Sequence, residues 1–149
     1  MCIRDRSKTD NSNGSGGMIF DHIAQAVPNI EDAVEQYENT FGISAGEIII
    51  IEEQKIKMAT ISIGNIKIEL MEPLDDQSPI AKFLLRNPNG GLHHYCVAVD
   101  DVNKKYENQK SNGVSIISEP TKGYHGRNLY FIHPKQVSGA LIEVEERKK

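Results

Sequence analysis

The sequence predicts an α+β fold built from a βαβββ module used twice in one chain. Three observations carry this expectation. The order strand, helix, strand, strand, strand is legible over residues 20–72 and again over residues 94–145. A histidine opens each module, His22 and His94, 72 positions apart. A glutamate lies in the last strand of each, Glu69 and Glu143, 74 positions apart. Self-similarity at this spacing is the mark of a duplicated supersecondary unit.

The first module starts with a strand over residues 20–27, stopped by Pro28. Asn29 is a helix N-cap, Glu31 and Asp32 put acids in the first turn, and Ile30, Val34, Tyr37 and Phe41 recur at helical spacing. Gly42 ends that helix. Three isoleucine-rich strands follow over residues 47–53, 56–63 and 66–72, the last two joined by Gly64-Asn65 as a two-residue turn. A connector follows, with a short helix over residues 78–86 that begins in a Ser-Pro cap signal. The second module then reads as a strand at 94–99, a helix from Asp101 to Asn112-Gly113, and strands at 114–118, 128–132 and 140–145.

The first 17 residues differ from the rest. Ile3 is their one strongly apolar residue, and they finish in Asn11-Ser12-Asn13-Gly14-Ser15-Gly16-Gly17. Such a composition cannot offset its own ordering entropy, so residues 1–17 read as a disordered leader or an expression artefact, with Met18 the natural start. Residues 18–149 then form a single domain of two repeats, about 18–73 and 91–146.

Composition excludes several classes. A net charge of −4 and a pI near 5.7, without a basic stripe, argue against nucleic acid as partner. Apolar runs such as Ile48 to Ile51 are far short of the ~20 residues a membrane helix needs. Two cysteines, Cys2 in the leader and Cys96 in an apolar strand, make no disulfide framework. That usage implies a reducing compartment: the cytoplasm, or the mitochondrial matrix in a eukaryote.

Strand alternation says where the chemistry points. Ile66, Ile68 and Leu70 take one face, leaving Lys67, Glu69 and Met71 on the other. Ile142 and Val144 likewise leave Glu143 and Glu145 opposite. His22 shares a face with Ala24 and Ala26, and His94 with Cys96 and Ala98, so small neighbours leave room beside both histidines. If the modules pair and curl, His22, Glu69, His94 and Glu143 converge on one concave face. Two histidines and two carboxylates suit a divalent cation such as Co²⁺, Mn²⁺, Zn²⁺, Ni²⁺ or Mg²⁺. Singly, each is an ordinary solvated strand residue or a histidine satisfied by a carbonyl. Equivalent placement in a repeat is what singles out the set.

The remaining histidines carry weaker signals. His93 precedes the predicted strand and should point away from His94, on the surface or behind the ligands. His125 lies between Gly123-Tyr124 and Gly126, in a loop that allows close approach to a ligand. His133, before Pro134-Lys135, reads as a structural turn.

Residues 20–146 resemble the methylmalonyl-CoA epimerase family, within the vicinal-oxygen-chelate superfamily. The matching stretches in the first module are Asp21-His22-Ile23-Ala24, Val27-Pro28 and Lys67-Ile68-Glu69-Leu70-Met71-Glu72-Pro73-Leu74. Ser78-Pro79-Ile80-Ala81-Lys82-Phe83-Leu84 matches in the connector, followed by Gly91-Leu92-His93-His94, His125-Gly126, His133-Pro134-Lys135 and Gly139-Ala140-Leu141-Ile142-Glu143. The His/Glu quartet is common to the superfamily, whereas the Ser-Pro-Ile-Ala-Lys-Phe-Leu, paired-histidine and His-Pro-Lys segments point to the epimerase.

The resemblance implies a cup-shaped, eight-stranded mixed sheet in a homodimer. It implies an isomerase that interconverts the C2 epimers of methylmalonyl-CoA. It also implies a divalent metal, commonly cobalt, on His22, Glu69, His94 and Glu143. Glu143 is the first choice for one proton-transfer group, and the CoA thioester is expected along residues 78–83 and 124–135. One departure stands out: some family members place a glutamate base where this chain has Met58, and neither Glu52 nor Glu53 maps onto that role. A glyoxalase-I-like lyase shares the fold, the quartet and an enediolate intermediate, but not the epimerase segments. A non-catalytic small-molecule binder often lacks the ligand set. Ring-cleaving dioxygenases normally use two histidines and one glutamate, which the filled position at Glu69 counts against.

Overall fold

The computed structural model of the chain describes residues 17–148. The leader expected over residues 1–17 lies, but for Gly17, outside them. The described residues divide into two compact units, one formed by Asp21–Cys96 and the other by residues 97–148 with residues 17–20.

The unit of Asp21–Cys96 holds most of β1 (Ile19–Ala26), then α1 (Ile30–Phe41), β2 (Ile49–Ile51), β3 (Ile56–Ile63), β4 (Ile66–Pro73), α2 (Pro79–Arg86) and the start of β5 (Gly91–Val99). Its strands are hydrogen-bonded in the order β2-β3-β4-β1-β5. β2, β3 and β4 are antiparallel neighbours, whereas β1 runs parallel to β4 with Ala24 opposite Glu69. A parallel pair needs a crossover, and α1 belongs to it.

Alternation sorts the side chains as expected. Ala59, Ile61 and Leu70 pack with Ile30 and Ala33 of α1 on one face. Ala24, Ala26, Met58 and Met71 pack on the other, with Ile80, Phe83 and Leu84 of α2 against them. His22 and Glu69 belong to this second face by register. Asn29 Oδ1 accepts from Asp32 N at 2.9 Å and caps α1, which ends at Gly42 with φ 68°, a left-handed turn that glycine adopts without strain. Ser78 Oγ accepts from Ile80 N at 3.2 Å and caps α2, with Pro79 in the first turn. Ser78→Ala is expected to cost about 1 kcal/mol of stability, read by denaturant unfolding.

The second unit holds the end of β5, α3 (Val102–Ser111), β6 (Thr121–Lys122), β7 (Asn128–Ile132) and β8 (Ile142–Glu146), in the strand order β5-β8-β7-β6. Tyr130 is buried on the α3 side, its ring 5.4 Å from that of Tyr106 and its hydroxyl donating to Gln109 Oε1 at 2.6 Å. Burial, and then Tyr106, pushes the Tyr130 hydroxyl pKa up.

The duplication is physical as well as sequential. Each module's helix has an Asn or Asp cap, Asn29 and Asp101. The first helical N–H of each is received by a carboxylate from the end of the module's last strand. Ile30 N donates to Glu72 at 2.8 Å, and Val102 N donates to Glu146 at 3.1 Å. These donors would otherwise be orphaned at the helix start.

Two expected strands shrink most. The one predicted over residues 47–53 is only Ile49–Ile51, because Glu52–Gln54 turn into a 3₁₀ segment. The one predicted over residues 114–118 is no strand; it reduces to a bridge between Ile116 and Ile132, flanked by Ile117 N donating to Phe131 O at 2.9 Å. Pro120 has no N–H to extend that ladder, and β6 takes the edge instead. Among the described residues no helix is long and apolar enough to cross a membrane.

Candidate active site

His22, Glu69 and His94 come from three neighbouring strands, β1, β4 and β5, of the unit of Asp21–Cys96. His22 is buried, with Nε2 3.4 Å from Glu69 Oε1. The His22 and His94 rings meet edge to face at 5.9 Å, and ligand-type atoms of the two lie within 4.8 Å of each other. Three of the four residues singled out by the repeat are thus brought together within one unit.

The separations bear on a cation. At 3.4 Å, His22 Nε2 and Glu69 Oε1 are farther apart than a normal N–H···O bond. Two ligands at about 2.1 Å from a tetrahedral divalent ion lie roughly 3.4 Å apart. Two imidazole nitrogens and a carboxylate are donors that such ions accept, so the residues present fit the group.

Glu143 lies on β8 in the second unit, buried and in register with Phe131. Ile142 and Val144 are buried on the opposite face of the strand, as alternation predicts. Met58 is part of the apolar cluster with Ala24, Ala26 and Met71.

Several relevant side chains escaped the sequence reading. Asp21 Oδ2 lies 2.7 Å from His22 Nδ1, and its position directly before His22 was the available signal. His93 is a correction. It lies inside β5 rather than before it, and it does not point away from its neighbour: His93 Nδ1 is 2.8 Å from His94 Nδ1. Alternation governs the Cα–Cβ direction, but ring nitrogens this close to the backbone can still meet. Phe83 of α2 stands edge to face against His93 at 5.1 Å. Burial, and then His94, lowers the His93 pKa to about 4, so the ring is neutral near pH 7.

In the second unit, Glu145 is buried and receives His125 Nε2 at 2.6 Å and an Arg127 guanidinium nitrogen at 3.4 Å. Arg127 N donates to His125 Nδ1 at 3.1 Å, which closes the turn. A Cβ on Gly123 would stand 2.8 Å from Leu129 Cδ2 and 3.0 Å from His125 Cε1, so glycine there makes room for the His125 ring itself. His125→Ala removes a hydrogen-bond partner 2.6 Å from a buried carboxylate, and is expected to cost about 2–3 kcal/mol by denaturant unfolding. A loss below ~0.5 kcal/mol would show that His125 contributes little to this cluster. His133 accepts from Lys135 N at 3.0 Å and caps a 3₁₀ turn over Pro134–Val137, the structural role expected of it.

Comparison with known proteins places this architecture. Residues 21–131 match the family model of the glyoxalase/bleomycin resistance protein/dioxygenase superfamily. The chain is 38% identical over 143 residues to the mitochondrial methylmalonyl-CoA epimerase of Dictyostelium discoideum, covering 95% of this chain and 86% of that protein. It is 40% identical over 129 residues to the ethylmalonyl-CoA/methylmalonyl-CoA epimerase of Cereibacter sphaeroides, covering 85% of this chain and 96% of that protein. A variant of the Streptomyces coelicolor methylmalonyl-CoA epimerase, solved in complex with 2-nitronate-propionyl-CoA, superposes with a TM-score of 0.75 at 29% identity, covering 85% of this chain and 92% of that one. The eight-strand order, the matched superfamily model and identities near 40% across most of both chains agree: the chain belongs to the methylmalonyl-CoA epimerase family.

Proposed function

We propose that this chain is an isomerase that epimerises methylmalonyl-CoA at C2 through an enolate-type anion. The observation that carries the reading is the cluster of His22, Glu69 and His94 on adjacent strands, in a chain of this family. The proton to be moved lies between a thioester and a carboxylate, and its loss leaves negative charge spread over both. His22, Glu69, His94 and Glu143 would hold a divalent cation, with Co²⁺ first and Mn²⁺, Zn²⁺, Ni²⁺ or Mg²⁺ as alternatives. A bound cation of this kind supplies the Lewis acidity that stabilises an enolate-type anion.

The chain's own residues do the rest. Glu143 takes the C2 proton from one face and returns it, a role suited to a carboxylate held inside the fold. Epimerisation also needs delivery at the opposite face, and Met58, an apolar core residue, cannot provide it. The CoA thioester is proposed to lie along α2 and the segment of residues 124–135.

Deuterium wash-in at C2, with and without added metals, tests the reading. Exchange that depends on a divalent cation supports it. Turnover of a methylglyoxal–glutathione hemithioacetal, with no exchange on methylmalonyl-CoA, would identify a glyoxalase-like lyase instead.

The same reading extends to the assembly and the compartment. A homodimer is proposed, since β2 and β6 are edge strands and Ile50, Leu85 and Leu92 are exposed. Light scattering at micromolar concentration should give twice 16.6 kDa, and a persistent monomer would contradict the dimer. A reducing compartment, cytoplasm or mitochondrial matrix, suits the buried Cys96.

A further inference from the structure

We infer that His93 is a positioning residue which accepts the Nδ1–H of His94 and thereby fixes the tautomer that leaves His94 Nε2 to face a cation. The inference rests on the metal reading above and deepens it. A neutral imidazole carries one N–H, so the nitrogen that holds a metal must be the one without the proton. If His94 binds through Nε2, its proton sits on Nδ1. The atom 2.8 Å from that nitrogen is His93 Nδ1, which can accept the proton's hydrogen bond only if its own N–H is on Nε2. The pair therefore has one consistent arrangement: His94 donates, His93 accepts.

The repeat supplies an independent precedent within the same chain. Asp21 is to His22 what His93 is to His94, the residue directly before the module's histidine. Asp21 Oδ2 sits 2.7 Å from His22 Nδ1, so the other module also presents an acceptor to the same ring nitrogen. His22 then has Nε2 turned to Glu69 at 3.4 Å. Two different side chains, a carboxylate and an imidazole, thus do one job at equivalent positions. Partners that hold the far nitrogen of a metal-binding histidine typically matter by tenfold to a hundredfold in metal affinity.

The His93 ring is itself held. Phe83 of α2 packs edge to face on it at 5.1 Å, so the helix of the Ser-Pro-Ile-Ala-Lys-Phe-Leu segment braces the acceptor. That contact explains how a side chain expected to point away from His94 is instead kept against it.

Two variants separate the hydrogen bond from the packing. His93→Phe keeps an aromatic ring against Phe83 and removes the acceptor, whereas His93→Asn restores an acceptor oxygen near the position of Nδ1. Two readouts are needed, the Co²⁺ dissociation constant with its visible absorption spectrum, and the ¹⁵N shifts of the His94 ring in metal-free protein. The parent and His93→Asn should show His94 protonated on Nδ1, with affinities within a few-fold of each other. His93→Phe should show a mixed or Nε2–H tautomer and bind Co²⁺ roughly 10–100-fold more weakly, with an altered spectrum. An unchanged His94 tautomer in His93→Phe overturns the inference, and so does an affinity loss that His93→Asn does not rescue. Failure of the parent to bind any divalent cation, with the tautomers as stated, overturns the metal reading and leaves the hydrogen-bond assignment standing.

Discussion

Replacing His22, His94 or Glu143 with alanine should abolish stoichiometric divalent-metal binding and lower metal-dependent exchange at C2 by at least about 10²–10³-fold, the usual effect of removing an element that stabilises a developing anion. Each change removes one donor from a small set. The fold should survive. His22 and Glu143 are buried, but the apolar packing is carried by other residues: Ala24, Met58 and Met71 on the His22 face, and Ile142, Val144 and Tyr130 on the face of β8 opposite Glu143. Circular dichroism and the unfolding midpoint check this. Normal metal stoichiometry in any one variant would remove that residue from the site.

Glu143→Gln is the more discriminating change. Glutamine keeps the size and one carbonyl oxygen, so it can still ligate weakly, but it cannot accept a proton. If Glu143 serves one face of C2, epimerisation falls much further than metal affinity. Exchange should also become strongly unequal between the two starting epimers, because the group at the other face still removes its own proton. Starting separately from each epimer in deuterated water reads this directly. Equal loss from both, in step with metal loss, would make Glu143 a ligand alone.

Particular elements show how legible this chain was. The α1 boundaries follow from local chemistry, Asn29 at the start and Gly42 at the end, and both sit where cap and left-handed turn require them. The hairpin at Gly64-Asn65 and the Ser-Pro start of α2 are equally local. The segment 114–118 failed because β-propensity says only that Val114, Ile116 and Ile117 suit a pleated surface. Whether a ladder forms depends on a partner strand, and that lies outside the segment. The faces of β1 and β4 were readable because a side-chain period of two leaves little choice once one face is apolar.

The sequence alone carries the duplicated module, the sidedness of its strands and the expectation of a four-residue site, because periodicity and repeat spacing are properties of the chain. Only the tertiary structure decided what stands behind the histidines. Asp21 against His22, His93 against His94, and Phe83 against His93 depend on ring rotation and on a helix packed from a distant segment. The His125–Glu145–Arg127 cluster is of the same kind, joining a loop to a strand about 20 residues away. Alternation fixes which way a Cβ points, but the reach of a ring nitrogen or a guanidinium is set by torsions that only neighbouring elements select.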